Sequence, residues 1–318
     1  MDENRMDGML GKDVLKALAE TYQQLYIPPS GEGSETGEPS EARKRYDDVV
    51  KKGKKVLNRS FSHFATDEQD SLVYKDTPAG KVCVITLHNR ADFVTFLRIM
   101  ANRCAMTPIP DTQGASLIDG VINWEKIRAH KKEYLAKEQA EGSPAPDWHA
   151  EFLRFTEDKR NYLDTLIVLS FGPYSGIDAE QLGLSSEKWL LLSDTIRLYH
   201  ECTHFICRRL YPDKKDAVWD ELVADAAGIY AAFGKYDSEM AALFLGIHDG
   251  RYEKGRLENY VSADTEKEKQ NRLSELSRRI QPVLKSFEGL IREAQGADAF
   301  NTAVLLEEYM AELWNGNA

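Results

Sequence analysis

Two histidines four residues apart, His200 and His204, lie inside a helical run from Asp194 to Leu210. At 100° per residue, positions i and i+4 share a helix face about 6 Å apart, so one metal ion can reach both rings. Glu201 is turned aside from the pair, where a carboxylate can accept a proton without becoming a ligand. A second helix, Ala217 to Phe233, follows a turn containing Pro212 and carries Glu221 and Asp225, again four apart. Glu221 comes 17 residues after His204, which leaves room for the first helix to end, a turn and an antiparallel return. No other feature constrains the fold as much, because the two helices must lie face to face for these side chains to meet. A catalytic zinc takes three protein ligands and keeps one position open. His200, His204 and Glu221 fill that count, and Asp225 is spaced to hold the outer nitrogen of one histidine. Cys207 is the rival ligand. It points within about 20° of His200 but lies roughly 10.5 Å along the axis, too far for one ion to take all three, so it reads as a core thiol. The plainer reading of the whole pattern is two helix histidines packed against a carboxylate.

The pattern resembles the gluzincin clan of zinc metallopeptidases, in which HExxH is followed by ExxxD on the next helix. The match runs from His200 to about Asp237. The metzincin pattern fits less well, since it wants Gly at 207 and His at 210 where this chain has Cys207 and Leu210. The resemblance implies one Zn²⁺ per chain on His200, His204 and Glu221, with Glu201 as general base and Asp225 bracing a ligand. It also implies a strand beside the active-site helix whose edge pairs with an extended peptide. That would put Phe171, Gly172 and Tyr174, which end the apolar run from Leu163, at the substrate. A further donor for the developing oxyanion would come from beyond the glutamate helix. Tyr260 and Arg256 are the expected residues there, with His248 behind them. The expected function is hydrolysis of peptide bonds in a peptide or protein by zinc-activated water. Two other readings stand beside it: a zinc-dependent hydrolase of a non-peptide amide, and a non-catalytic binding or scaffold protein that keeps the helix pair. Intact Glu201 favours catalysis, because a purely structural site needs no base.

Charge and cysteines narrow the setting. With 41 Lys+Arg against 52 Asp+Glu the net charge is -11. That argues against nucleic acid, whose affinity comes from basic neutralisation of phosphates, and against a polybasic membrane surface. No apolar run approaches the ~20 residues that span a bilayer. Cys83, Cys104, Cys202 and Cys207 form no CxxC pair, so reduced thiols and a cytoplasmic location are expected.

The rest of the chain is read as α+β: a small mixed or antiparallel sheet packed on the two-helix zinc site, with a helical C-terminal region. Residues 9–26 have helical periodicity and end at Pro28-Pro29. Pro28 to Glu41 contains only Pro, Ser, Gly, Glu and Thr, the composition of a disordered linker. The expected division is an N-terminal helix at 1–27, tethered by a linker at 28–45. A metallopeptidase domain follows at 46–262, and C-terminal helices at 263–318 pack on it. Within the domain, 71–74 and 81–87 read as a hairpin, 90–103 as a helix and 115–118 as a short strand. A surface helix is expected at 124–140, then a loop at 142–146 and a buried strand at 163–171.

Overall fold

The computed structural model describes residues 6–30, 40–142, 145–213, 216–294 and 296–316. The chain is a mixture of helices and a small mixed sheet, and it divides into two compact units. The first comprises Met1–Tyr74, Cys83–Pro110 and Ser116–Ser170. The second comprises Lys75–Val82, Asp111–Ala115 and Phe171–Ala318.

The sheet is built from β1 (Met9–Leu10), β2 (Ser71–Thr77), β3 (Gly80–Leu87), β4 (Ala115–Ile122) and β5 (Leu163–Ser170), in the order β1-β2-β3-β5-β4. β1 runs antiparallel to β2, whereas β3 and β5 are parallel, with Cys83 opposite Leu166 and Leu87 opposite Ser170. The central pair has the sequence of a strand covered on both faces: Val82 to Leu87 and Leu166 to Leu169 are near-continuous apolar runs, and all but Thr86 are core. A parallel pair needs a long crossover. Here it holds α3 (Arg90–Met100), β4, α4 (Trp124–Ala140) and α5 (Trp148–Glu157).

The N-terminal segment is not a tethered appendage, as its linker composition had suggested. It forms β1, α1 (Val14–Thr21) and a 3₁₀ turn at Gln23–Tyr26. Val14, Leu15, Leu18, Tyr22 and Leu25 are buried in the same core as Leu72, Ile85, Phe96 and Leu166. Residues 31–39 of the linker expected at 28–45 lie outside the described residues. Its far end is already helical, because α2 (Glu41–Lys52) starts there, with the Ser40 hydroxyl accepting from the Arg43 N–H.

The second unit is built on α6 (Ser186–Leu210), α7 (Ala217–Phe233), α8 (Ser238–Leu245), the β6–β7 ribbon (Ile247–His248, Arg251–Tyr252), α9 (Glu266–Glu293) and α10 (Ala299–Gly316). The single domain expected over 46–262 is therefore divided near Ser170. The C-terminal helices belong to the second unit, where Leu273, Ile280, Phe287 and Leu306 share a core with Trp189, Ile196, Leu222 and Phe244. α6 begins two turns earlier than the sequence reading placed it, because Ser185 caps it by accepting from the Lys188 N–H.

Candidate metal centre

α6 and α7 approach closely because α7 presents small residues to its neighbour. A Cβ added at Gly228 would lie 2.8 Å from the backbone oxygen of Ile196. Ile196 is one turn before His200, and Gly228 is just under one turn after Asp225, so this close approach lies next to the site. From there the pairs run in opposite directions along the two helices: Ile196 with Gly228, His200 with Asp225, and His204 with Glu221. This is the antiparallel return that the spacing required.

The Nε2 atoms of His200 and His204 are 3.0 Å apart. Glu221 places one carboxylate oxygen 3.5 Å from His200 Nε2 and the other 3.4 Å from His204 Nε2. Donors bonded at about 2.0–2.2 Å to one tetrahedral ion lie about 3.3–3.5 Å from one another; the two Glu221 contacts match that spacing, and the imidazole nitrogens, at 3.0 Å, need to part by a few tenths of an ångström to admit an ion. This set is the one group of His, Cys, Asp or Glu among the described residues whose donor atoms converge in this way. The three side chains are 7%, 11% and 15% exposed, nearly closed but not sealed.

Asp225, fully buried, places a carboxylate oxygen 2.9 Å from His200 Nδ1, which leaves Nε2 to face Glu221. Burial would raise both carboxyls. At Glu221 the His200 charge, the His204 hydrogen bond and Arg256 reverse that and hold it well below the ordinary range. At Asp225 Arg256 and His200 do the same. Burial likewise disfavours a charged His204, but its bond to Glu221 and the charges of Glu221 and Glu201 raise it overall. Glu201, itself buried, is therefore close enough for its charge to act on His204 while standing outside the donor set.

The remaining expected residues fall in different places. Tyr260 hydrogen-bonds Glu221, and burial is the first cause of its raised pKa. Arg256 is an ion-pair partner of Asp225 and lies 3.7 Å from Glu221, and its Nη1 donates to the Tyr174 hydroxyl at 2.8 Å. All three of these partners are protein groups. The substrate strand is a correction. β5 lies between β3 and β4, so both of its edges are already paired and it has none to offer a peptide. Phe171 and Gly172 merely continue from it. Tyr174 is buried and faces inward, donating to Asp225 at 2.7 Å and lying 3.0 Å from His200 Nδ1. His248 sits in the β6–β7 ribbon opposite Arg251. Cys207 packs into the second core and is not part of the donor set.

No sequence motif marked Tyr174 as part of this cluster. Its one local signal is the run Gly172-Pro173-Tyr174-Ser175-Gly176, which reads as a turn. The four cysteines are all buried. Among the described residues no helix is long and apolar enough to cross a membrane.

Residues 10–313 match the family of unknown function DUF7005, and the chain belongs to that family. No curated protein and no solved structure matches it.

Proposed function

We propose that this DUF7005 member is a zinc-dependent metallopeptidase of gluzincin type, acting on a peptide or protein in a reducing compartment such as the cytoplasm. One observation carries the reading: three converging donors, two imidazoles and a carboxylate, with a separate glutamate beside them. Three ligands rather than four is the pattern of a catalytic zinc, and imidazole with carboxylate suits that ion. Bound there, zinc would supply Lewis acidity, lowering the pKa of water and polarising a carbonyl.

The chain's own residues do the rest. Glu201 takes the proton from the attacking water on its carboxylate and returns it to the leaving amine nitrogen. Asp225 keeps the His200 Nδ1 proton in place, so that Nε2 offers a lone pair. Tyr260 is the proposed donor to the carbonyl oxygen, for which its phenol must turn from Glu221 toward substrate.

The test pairs elemental analysis with turnover. Purified protein should carry one zinc per chain, and Glu201→Gln should retain it while losing hydrolysis of a peptide library, because an amide cannot accept the proton. Protein that holds no zinc after reconstitution would end the reading. Zinc with hydrolysis only of small non-peptide amides would move the substrate class and keep the chemistry.

A further inference from the structure

We propose that Tyr174 and Arg256 are positioning residues that lock His200 in the tautomer carrying its proton on Nδ1. The donors and acceptors around Asp225 point to it. One Asp225 oxygen accepts from Tyr174 at 2.7 Å and from His200 Nδ1 at 2.9 Å, and the other meets Arg256. Tyr174 has one proton and two neighbours that can accept it: that Asp225 oxygen, or His200 Nδ1 at 3.0 Å. If Tyr174 donates to the ring, Nδ1 must be the bare nitrogen and Nε2 the protonated one, which cannot bind a metal. Arg256 decides between them. Its Nη1 occupies a lone pair of the Tyr174 oxygen at 2.8 Å, and it pins the Asp225 carboxylate through the second oxygen. With both fixed, the phenol proton goes to the nearer carboxylate, and Nδ1 keeps its own proton as the second donor.

The surroundings hold Tyr174 still. Its backbone N–H donates to the Ser193 hydroxyl, two turns before His200 on the same helix, at 3.0 Å. The Arg197 and Arg256 guanidinium carbons lie 5.9 and 5.4 Å from the ring centroid, and Phe244 meets it edge-on at 5.2 Å. The next residue, Ser175, has φ 51°, a left-handed conformation that a non-glycine residue adopts at a cost. A buried ionic cluster adds little stability compared with apolar packing of the same volume, so stability alone is a poor account of this one.

The consequence for zinc affinity rests on the metallopeptidase reading, but the tautomer belongs to the protein alone and is measured without metal. Long-range ¹H–¹⁵N spectra of the metal-free protein report it directly. At a pH high enough for the ring to be neutral, wild type should show His200 with the proton on Nδ1 alone. Arg256→Met should show a mixture, with zinc binding 10- to 100-fold weaker in competition titrations. Adding Tyr174→Phe to Arg256→Met removes the misdirected hydroxyl and should restore the Nδ1 proton and part of the affinity. A merely structural role predicts that the double variant is worse than the single. Should Arg256→Met not fold, Arg256→Lys, which can pair with Asp225 but not bridge to Tyr174 as a fork, should show the same mixture in milder form. Wild type with the proton on Nε2, or a folded Arg256 variant with unchanged spectra and zinc affinity within twofold, would overturn the proposal. Absence of zinc binding with the expected spectra would sink the metallopeptidase reading and leave the tautomer lock intact.

Discussion

Glu221 touches both histidines with separate oxygens, so removing it takes away a donor that no neighbour replaces. Glu221→Ala should therefore abolish tight zinc binding, while Cys207→Ser, a change in the apolar core away from the donors, should leave it within a few-fold. Competition titrations that rank the two the other way would reassign the ligand. For Asp225 the informative change is to Asn. Alanine would take the nearest carboxylate from the buried Arg256 charge and leave only Glu221, at 3.7 Å, as its counter-charge, a loss of up to about 3–5 kcal/mol that would mask any effect on the metal. Asp225→Asn should weaken zinc roughly 10- to 100-fold, as expected when a ligand loses its orienting partner. Tyr260→Phe probes the oxyanion. A donor aimed at that oxygen adds a factor of about 10² to 10³ in rate, so kcat should fall by that order with KM little changed. Because Tyr260 also bonds Glu221, zinc content must be measured alongside. An unchanged kcat with full zinc would remove Tyr260 from the mechanism.

The spacing of the donors only works because two helices come close, and that closeness depends on Gly228. Gly228→Ala puts a methyl group 2.8 Å from a backbone oxygen that cannot move aside without moving α6. Overpacking of this kind costs about 1–3 kcal/mol, and zinc affinity should fall with it. Gly289, inside α9, has nothing within 4 Å of an added Cβ, so Gly289→Ala should instead stabilise by about 0.5–1 kcal/mol. Equal effects on thermal unfolding would refute the contrast. The helix pair was legible in the sequence because every requirement on it is local: i, i+4 spacing, a capping residue, a turn of sufficient length. Tyr174 was misassigned because its place is set by Ser193, Asp225 and Arg256, which are 19 or more residues away. β5 was legible as a buried strand, but whether its edges were free depended on β4. That strand joins it from an earlier stretch of chain, and the run of apolar residues carries no trace of the pairing. α5 was missed although Trp148, Phe152 and Phe155 recur at helical spacing, because the stripe is short and packs at the surface, with only Glu151 of its residues buried.

At the scale of the whole molecule, the N-terminal segment is the strongest departure from what composition suggested. A Pro/Gly/Ser/Glu stretch separates it from the rest along the sequence, but separation along the chain does not prevent docking in space. Deleting residues 1–41 removes Val14, Leu15, Leu18, Tyr22 and Leu25, each at 1% exposure or less. At about 1.5–3 kcal/mol for each buried side chain, the loss is comparable to the 5–15 kcal/mol that holds a typical domain folded. The truncated protein should lose the cooperative unfolding of its first unit in calorimetry, and an unchanged trace would restore the picture of a free tether. The second unit has a consequence for gene architecture. Its residues come from three stretches of chain, and two of them, Lys75–Val82 and Asp111–Ala115, are encoded inside the first unit. Gly114 belongs to one of these and lies so close to Arg197 that a Cβ there would be 2.5 Å from the guanidinium. A gene fragment starting at Phe171 would carry every donor of the candidate site yet leave that cover behind, opening to water the arginine that flanks Tyr174. The site-bearing half is thus not a portable cassette: neither recombination nor a single engineered cut can transplant it whole.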